Sequence, residues 1–386
     1  MPKGHRRPAW AEVNAGALER NARAMSSWVA PAELCAVVKA DGYGHGALTA
    51  ATAFLAGGAR SLAVALVEEG IELRQAGIAA PILLLSEPSA GGMEDAVIHG
   101  LCPTIYTSDG LRAVERAAAL LGNGRSAVRV HVKVDTGMHR VGAPPEAAVR
   151  LLDEVGESTV LEVGGIWTHL AVADEPDDDY TAGQLALFDQ VLSTRGAYSQ
   201  GASSPAKPIF HAANSAAALA FPASRFEMVR CGIALYGYSP IDAVPAGLPA
   251  PLPRFEPALS LKGRISYVKE LGPGERISYG LAYRVKEATS IATVPLGYAD
   301  GIPRRFGNSG GHAIVGGRRC RVAGNVTMDQ LMLDCGQSAV AAGDEVVLLG
   351  RQGAEVITAE DWAEWLGVIP YEVLCGIGPR VPRVVV

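Results

Sequence analysis

A chain of 386 residues has room for two domains, and at 49% hydrophobic and 19% charged residues it can bury a sizeable core. That composition excludes a disordered or collagen-like chain. Forty acidic against 34 basic residues leave a formal charge of -6, which argues against a nucleic-acid partner. The six cysteines (Cys35, Cys102, Cys231, Cys320, Cys335, Cys375) form no CxxC pair, and no Cys/His cluster has metal-ligand spacing. Reduced thiols in a cytoplasmic protein, with no metal, are expected. No apolar run reaches the roughly 18 residues of a membrane span, so no membrane partner is expected. The basic start MPKGHRRPAWAEV has no apolar stretch behind it and reads as a frayed terminus, not a signal peptide.

Eight short apolar or β-branched runs follow in chain order: 34–39 (LCAVVK), 62–66, 82–86, 103–106, 128–135 (VRVHVKVD), 163–169 (VGGIWTH), 208–212 and 227–231. Segments of helical composition lie between them, such as 46–58, 67–77, 111–121 and 180–193. Strand and helix in alternation predict a parallel sheet. Eight repeats in about 220 residues fit a (β/α)8 TIM barrel. A doubly wound open sheet would carry GxGxxG after its first strand, which is absent. The rhythm stops at 240–257, where six prolines predict a stiff connection. Beyond it the period becomes two: Leu259, Leu261, Ile265 and Tyr267 alternate with polar residues. This predicts a mostly antiparallel β domain interrupted by one helix at 359–366. The expected domains are 10–245 and 246–386, the second joined by residues 1–9.

Barrels carry their chemistry at the carboxyl ends of the strands. The first run ends in Lys39, followed by ADGYGHG, whose glycines would let backbone approach a ligand closely. A desolvated lysine has a lowered pKa and can act as a nucleophile or Schiff-base partner. Asn214-Ser215 opens a helix after strand seven and Gly232-Ile233 follows strand eight, where barrels often bind phosphate. Asn-Ser is also an ordinary helix cap. A reactive lysine and a phosphate cradle together suggest pyridoxal phosphate.

VVKADGYGHG at 37–46 resembles the pyridoxal-phosphate attachment motif of the alanine racemases. The resemblance continues in order through WAEVNAGALERN at 10–21, KVDTGMHRVG at 133–142, THLAVADE at 168–175, HAANSAA at 211–217 and MVRCGIALYG at 228–237. It extends through ISYGLAY at 277–283, PLGYADG at 295–301, VTMDQ at 326–330 and IPYEVLCGIGPRVPR at 369–383, and so covers nearly the whole chain.

The resemblance implies pyridoxal 5'-phosphate held covalently on Lys39. It places Tyr43, Asn214, Ser215, Gly232, Ile233 and Tyr371 around the phosphate, Leu85 near the ring, Arg230 at the pyridine nitrogen and Arg140 at the phenolic-oxygen side. Lys133 matches a lysine that is carbamylated in many relatives and there orients the arginine. Inversion at Cα needs a proton donor-acceptor on each face, implied to be Lys39 for the D enantiomer and Tyr279 for the L enantiomer. A free tyrosine, pKa near 10, is a poor base at neutral pH, and His169 beside Arg230 would lower it. Arg230 is always charged and cannot accept a proton, so the pyridine nitrogen would stay unprotonated. Met328 would offer its N–H to the substrate carboxylate, with Asp329 in support, and Tyr298 and Arg304 resemble residues of the substrate corridor. A head-to-tail homodimer with shared active sites is implied, Tyr279, Met328 and Asp329 acting across its interface. The implied activity is interconversion of L- and D-alanine, supplying D-alanine for peptidoglycan.

Many relatives have Arg and Cys where this chain has Asn325 and Thr327, which would alter substrate access. A racemase of broader specificity, such as serine, is the alternative. A decarboxylase of the same fold type would usually put an acidic residue at the pyridine nitrogen. A turnover-free pyridoxal-phosphate protein would be a lone barrel.

Overall fold

The computed structural model describes residues 7–121, 127–194, 207–241 and 251–386. The expected domain boundary at 245/246 and half of the proline-rich stretch fall in 242–250, outside the described residues. By contact the chain forms two units, Leu18–Gly42 with Ala47–Glu256, and Met1–Ala17 with Tyr43–Gly46 and Pro257–Val386.

The second unit opens with β1 (Ala9–Val13), which no apolar run had suggested. It pairs antiparallel with β10 (Leu259–Arg264), Trp10 opposite Lys262, and parallel with β20 (Arg383–Val385). Residues 10–13 therefore lie in the C-terminal sheet and the contact unit continues to Ala17, so the division falls later than the expected boundary at residue 10. The reason is non-local: five residues find their partners some 250 positions away. Arg7 reinforces the join, donating to Pro295 O (3.0 Å) and Asp300 Oδ1 (2.7 Å).

The first unit is the barrel. Its eight parallel strands are β2 (Glu33–Val37), β3 (Ser61–Val64), β4 (Ile82–Leu84), β5 (Thr104–Ile105), β6 (Val128–Lys133), β7 (Leu161–Trp167), β8 (Ile209–His211) and β9 (Met228–Cys231). Each overlaps one of the eight expected runs, β2, β3 and β7 starting one or two residues earlier. Ladders run β9-β2-β3-β4 and β5-β6-β7-β8. Leu84 N–H donates to Cys102 O (2.9 Å) between the ladders, and Arg230 N–H to Ala213 O (2.9 Å) closes the ring. Helices cover the outside. Helix Pro145–Glu157 turns Ala148, Leu151, Leu152 and Val155 inward, a 3.6-residue stripe, against Val130 and Val132 of β6 and Ile166 of β7.

In the second unit, β11 (Tyr267–Leu271), β14 (Thr289–Val294), β15 (His312–Val315), β16 (Arg318–Val322), β17 (Leu331–Asp334) and β18 (Glu345–Gln352) join β10, β1 and β20 in the order β11-β14-β17-β16-β15-β18-β10-β1-β20. The helix Ala359–Leu366 lies at the expected position. The period-two reading fails at one point. The strand breaks after Arg264, and Tyr267, expected inside, is 58% exposed at the start of a strand that pairs elsewhere.

Candidate active site

The β2 strand ends at Val37, two residues before Lys39, and the chain enters a left-handed turn, with φ of 52° at Ala40, 51° at Asp41, 60° at Gly42 and 50° at Tyr43. Such a run costs about 1–2 kcal/mol at each residue with a Cβ, so it must be held. Glu69, from the helix after β3, does much of this. Its Oε1 accepts from Ala40 N–H (2.7 Å) and its Oε2 from the N–H groups of Ala65 (2.8 Å) and Leu66 (3.0 Å). Asp41 Oδ1 accepts from Ala47 N–H (2.7 Å). Lys39 is half-buried on this frame. The glycines serve packing more than ligand approach: a Cβ on Gly44 would stand 2.4 Å from Leu374 O.

Across the barrel interior, β6, β7, β8 and β9 contribute a buried cationic and aromatic cluster. In register, Lys133 lies beside Trp167 and Trp167 beside His211. Lys133 Nζ and Arg230 Cζ stand 4.3 and 4.4 Å from the Trp167 ring centroid, and His211 stacks on the same indole. Gly165 makes the room, since a Cβ there would sit 2.5 Å from the His131 ring.

Hydrogen bonds order this cluster. Arg230 Nη1 meets His211 Nδ1 at 2.8 Å, and His211 Nε2 meets His131 Nδ1 at 2.9 Å. A guanidinium only donates. His211 Nδ1 therefore accepts, its proton sits on Nε2, and that proton is donated to His131. Arg230 Nη2 also reaches Thr168 O (2.8 Å), Ala212 O (3.0 Å) and His169 Nδ1 (3.2 Å), which leaves the His169 proton on Nε2. Burial first, then the Arg230 charge, holds His211 and His169 well below the ordinary histidine range. Burial, then Arg129 and Arg230, lowers His131 to about 3. Burial lowers Arg230 to about 10, still cationic at neutral pH. Burial and the neighbouring Arg230 and Arg140 lower Lys133 to about 7, so much of it is an uncharged amine.

The phosphate-type corner is built from the two loops expected. Asn214 caps the helix Ser215–Ala220, its Oδ1 accepting from Ala217 N–H (3.0 Å). Ser215 Oγ accepts from Gly232 N–H (2.9 Å), and a 3-10 turn starts at Ile233. The first N–H groups of such turns have no partner within the turn, which suits an anion. Leu85, after β4, is half-buried, and Arg140 is exposed on the loop after β6.

The remaining expected residues belong to the β unit. Tyr43 and Tyr371 lie together there, rings 5.9 Å apart. Tyr279 is 70% and Met328 53% exposed. Asp329 Oδ1 accepts from Arg380 (2.7 Å), and the loop of Tyr298 is tied to that of Met328 through Ala299 N–H to Met328 O (3.0 Å).

The chain matches two family descriptions, alanine racemase N-terminal domain over residues 13–240 and alanine racemase C-terminal domain over 258–385. The chain belongs to the alanine racemase family. Its relatives include the alanine racemase of Symbiobacterium thermophilum, 45% identical over 98% of this chain and 97% of that protein. The alanine racemase of Desulforamulus reducens is 44% identical over 98% of each. Among solved structures, the alanine racemase from E. faecalis superposes with a TM-score of 0.89 at 36% identity, covering both chains fully.

Alanine racemases of this length match from end to end, yet His131, His211, Trp167 and Glu69 had not been singled out in this chain. Three of them carried a legible signal. Arg129, His131 and Lys133 alternate with valines along β6, and such a set shares a face. Trp167 and His211 close neighbouring strands. Glu69, in contrast, is an ordinary helix acid until the turn after Lys39 is seen. Among the described residues no Cys, His, Asp and Glu group could hold a metal ion, and no helix is long and apolar enough to cross a membrane.

Proposed function

We propose that this chain interconverts L- and D-alanine with pyridoxal 5'-phosphate carried on Lys39. The observation that carries the reading is the donor set around Lys39's strand end. A buried guanidinium with neutral partners, the basic side chains of Lys39, Arg140 and the part-charged Lys133, and paired loop N–H groups suit a small aromatic group bearing phosphate and phenolic oxygen. Arg230's Nε–H finds no acceptor among the described residues, which leaves a donor for a ring nitrogen.

Lys39 would hold the group, with Tyr43, Asn214, Ser215, Gly232, Ile233 and Tyr371 at its phosphate, Leu85 against its ring, Arg230 at its nitrogen and Arg140 at its phenolic oxygen. When bound, it acidifies the substrate Cα–H by spreading negative charge. The proton transfers fall to this chain. Lys39 Nζ holds a proton on one face of Cα and Tyr279 Oη on the other, so one accepts as the other delivers. Tyr279 needs help to work near neutral pH. His169, neutral with its proton on Nε2, supplies a donor for a phenolate, and Arg230 keeps that tautomer. Arg230 cannot release a proton, so it limits charge delocalisation and side reactions. Lys133, largely uncharged, is nucleophilic enough to add carbon dioxide, and the resulting carbamate would orient Arg140. Met328 N–H would take the substrate carboxylate, steadied by Asp329. Tyr279, Met328 and Asp329 would serve a second copy in a head-to-tail homodimer. The setting is cytoplasmic and the product D-alanine for peptidoglycan.

Circular dichroism of L-alanine incubated with the protein and pyridoxal phosphate tests this. The signal decays to zero with the alanine undegraded. A constant signal from folded, cofactor-loaded protein rejects alanine as substrate.

A further inference from the structure

The turn that presents Tyr279 is strained, and the short antiparallel pairing of Arg276–Ile277 with Tyr283–Arg284 that flanks it leaves residues 278–281 outside the ladder. Ser278, Gly280 and Leu281 all have positive φ (67°, 76° and 50°), and the Tyr279 and Leu281 side chains are 70% and 52% exposed. Within one protomer, side-chain burial therefore does not fix where the phenol stands, and non-glycine residues at such angles favour other conformations.

One buried side chain grips the turn. Asn325 is 9% exposed and lies in the loop before β17. Its Nδ2 donates to Tyr279 O at 2.8 Å. Its backbone O accepts from Ser278 Oγ at 2.5 Å. Asn308 Nδ2 donates to Asn325 Oδ1 at 2.9 Å, which fixes the amide: oxygen toward Asn308, nitrogen toward Tyr279. The loop beneath is itself anchored, Val326 N–H donating to Arg304 O at 3.0 Å. Gly324, φ +78°, lets the backbones meet, since a Cβ there would stand 3.1 Å from Ile277 O and 3.2 Å from Ser278 Cβ. Asn325 stands where many relatives have an arginine, whose loss bears on the fine tuning of substrate access and inhibitor sensitivity. Its amide is committed to the turn.

We propose that Asn325 is a positioning residue for Tyr279: its amide, oriented by Asn308, holds the 278–281 turn in the strained form that sets the phenol's place. The inference rests on the reading of Tyr279 as a proton-transfer group. Asparagine is suited because the position needs one donor and one acceptor at once. Aspartate would keep the acceptor for Asn308 and set an oxygen against Tyr279 O.

The test uses the cofactor-loaded enzyme and the variants Asn325→Ala, Asn325→Asp and Asn308→Ala. In the two Asn325 variants, amide exchange over 277–283 accelerates about tenfold or more while the barrel peptides are unchanged. With L-alanine, kcat falls about tenfold at little-changed KM. The Cα-deuterium isotope effect rises with L-alanine, whose proton Tyr279 takes, and falls with D-alanine, where Tyr279 only delivers. A general loosening would not split the two directions. Asn308→Ala, which leaves the Asn325 amide in place, shifts the same quantities by less. Unchanged 277–283 exchange, or isotope effects that move alike in both directions while the wild type racemises alanine, overturns the proposal. A wild type that does not racemise alanine refutes the activity instead, and the exchange result still decides whether Asn325 holds the turn.

Discussion

The barrel and the β unit place their functional side chains by opposite means. In the barrel, Lys133, Trp167, His211 and Arg230 are buried, and strand register decides their neighbours. In the β unit, Tyr279 and Met328 are exposed, and a few hydrogen bonds within irregular turns hold them. The difference teaches where function and stability are coupled. A buried cluster cannot be altered without disturbing packing, whereas an exposed side chain on a braced turn can be altered with little effect on the fold.

The sharpest contrast comes from the two proton-transfer groups. Lys39→Ala is expected to lower racemisation by at least about a thousandfold, since on the proposed reading it removes both the anchoring amine and one proton carrier. Tyr279→Phe is expected to lower it by about a hundredfold or more, with an unfolding midpoint in urea indistinguishable from wild type. A large loss of stability in Tyr279→Phe would break the comparison.

Gly165→Ala tests the opposite side. The added methyl would meet the His131 ring at 2.5 Å, and overpacking of this kind costs about 1–3 kcal/mol. The expected outcome is a lower midpoint for the barrel, read by amide exchange of its strands.

Acid should also strike the barrel. His131 and His211 are buried and neutral, with folded-state pKa values below the roughly 6.5 of an unfolded histidine. Below pH 6.5 the unfolded chain binds protons that the folded barrel does not. Their contribution is therefore full above pH 6.5 and is lost as pH falls below it, by up to about 1.4 kcal/mol per pH unit for each histidine, the loss from His131 continuing to about pH 3. Barrel amides should lose protection steadily from pH 6.5 to 4, and His131→Gln should flatten that slope.

The smallest effect is expected from Glu69→Gln. It keeps an uncharged acceptor for Ala40 N–H but sets an amide NH2, which cannot accept, against the N–H groups of Ala65 and Leu66 on a partly exposed residue. A fall of about three- to tenfold in kcat, with unfolding unchanged, would mark it as a positioning residue for Lys39.

Much of this was legible in the chain itself, for particular reasons. The eight barrel strands stood out because each is a short apolar run bounded by a helical segment. Asn214 and Ser215 stood out because a helix cap has a local signature. What could not be read locally depends on partners distant in sequence. The five residues of β1 pair with strands some 250 and 370 positions away. The tautomers of His131 and His211 follow from Arg230, on another strand. Asn325 looked like a matter of substrate access because nothing in AGNVTMDQ points to the turn at 278–281.

The two-sided proton transfer by Lys39 and Tyr279 is the centre of the account. It is tested most directly by racemisation of L-alanine in deuterium oxide, with the D-alanine formed at low conversion analysed for Cα deuterium. Two groups on opposite faces predict that essentially all of that product carries deuterium, because the proton removed by Tyr279 is not the one Lys39 returns. Retention of the substrate's own protium in the first-formed D-alanine would contradict the account and point to a single group acting on both faces.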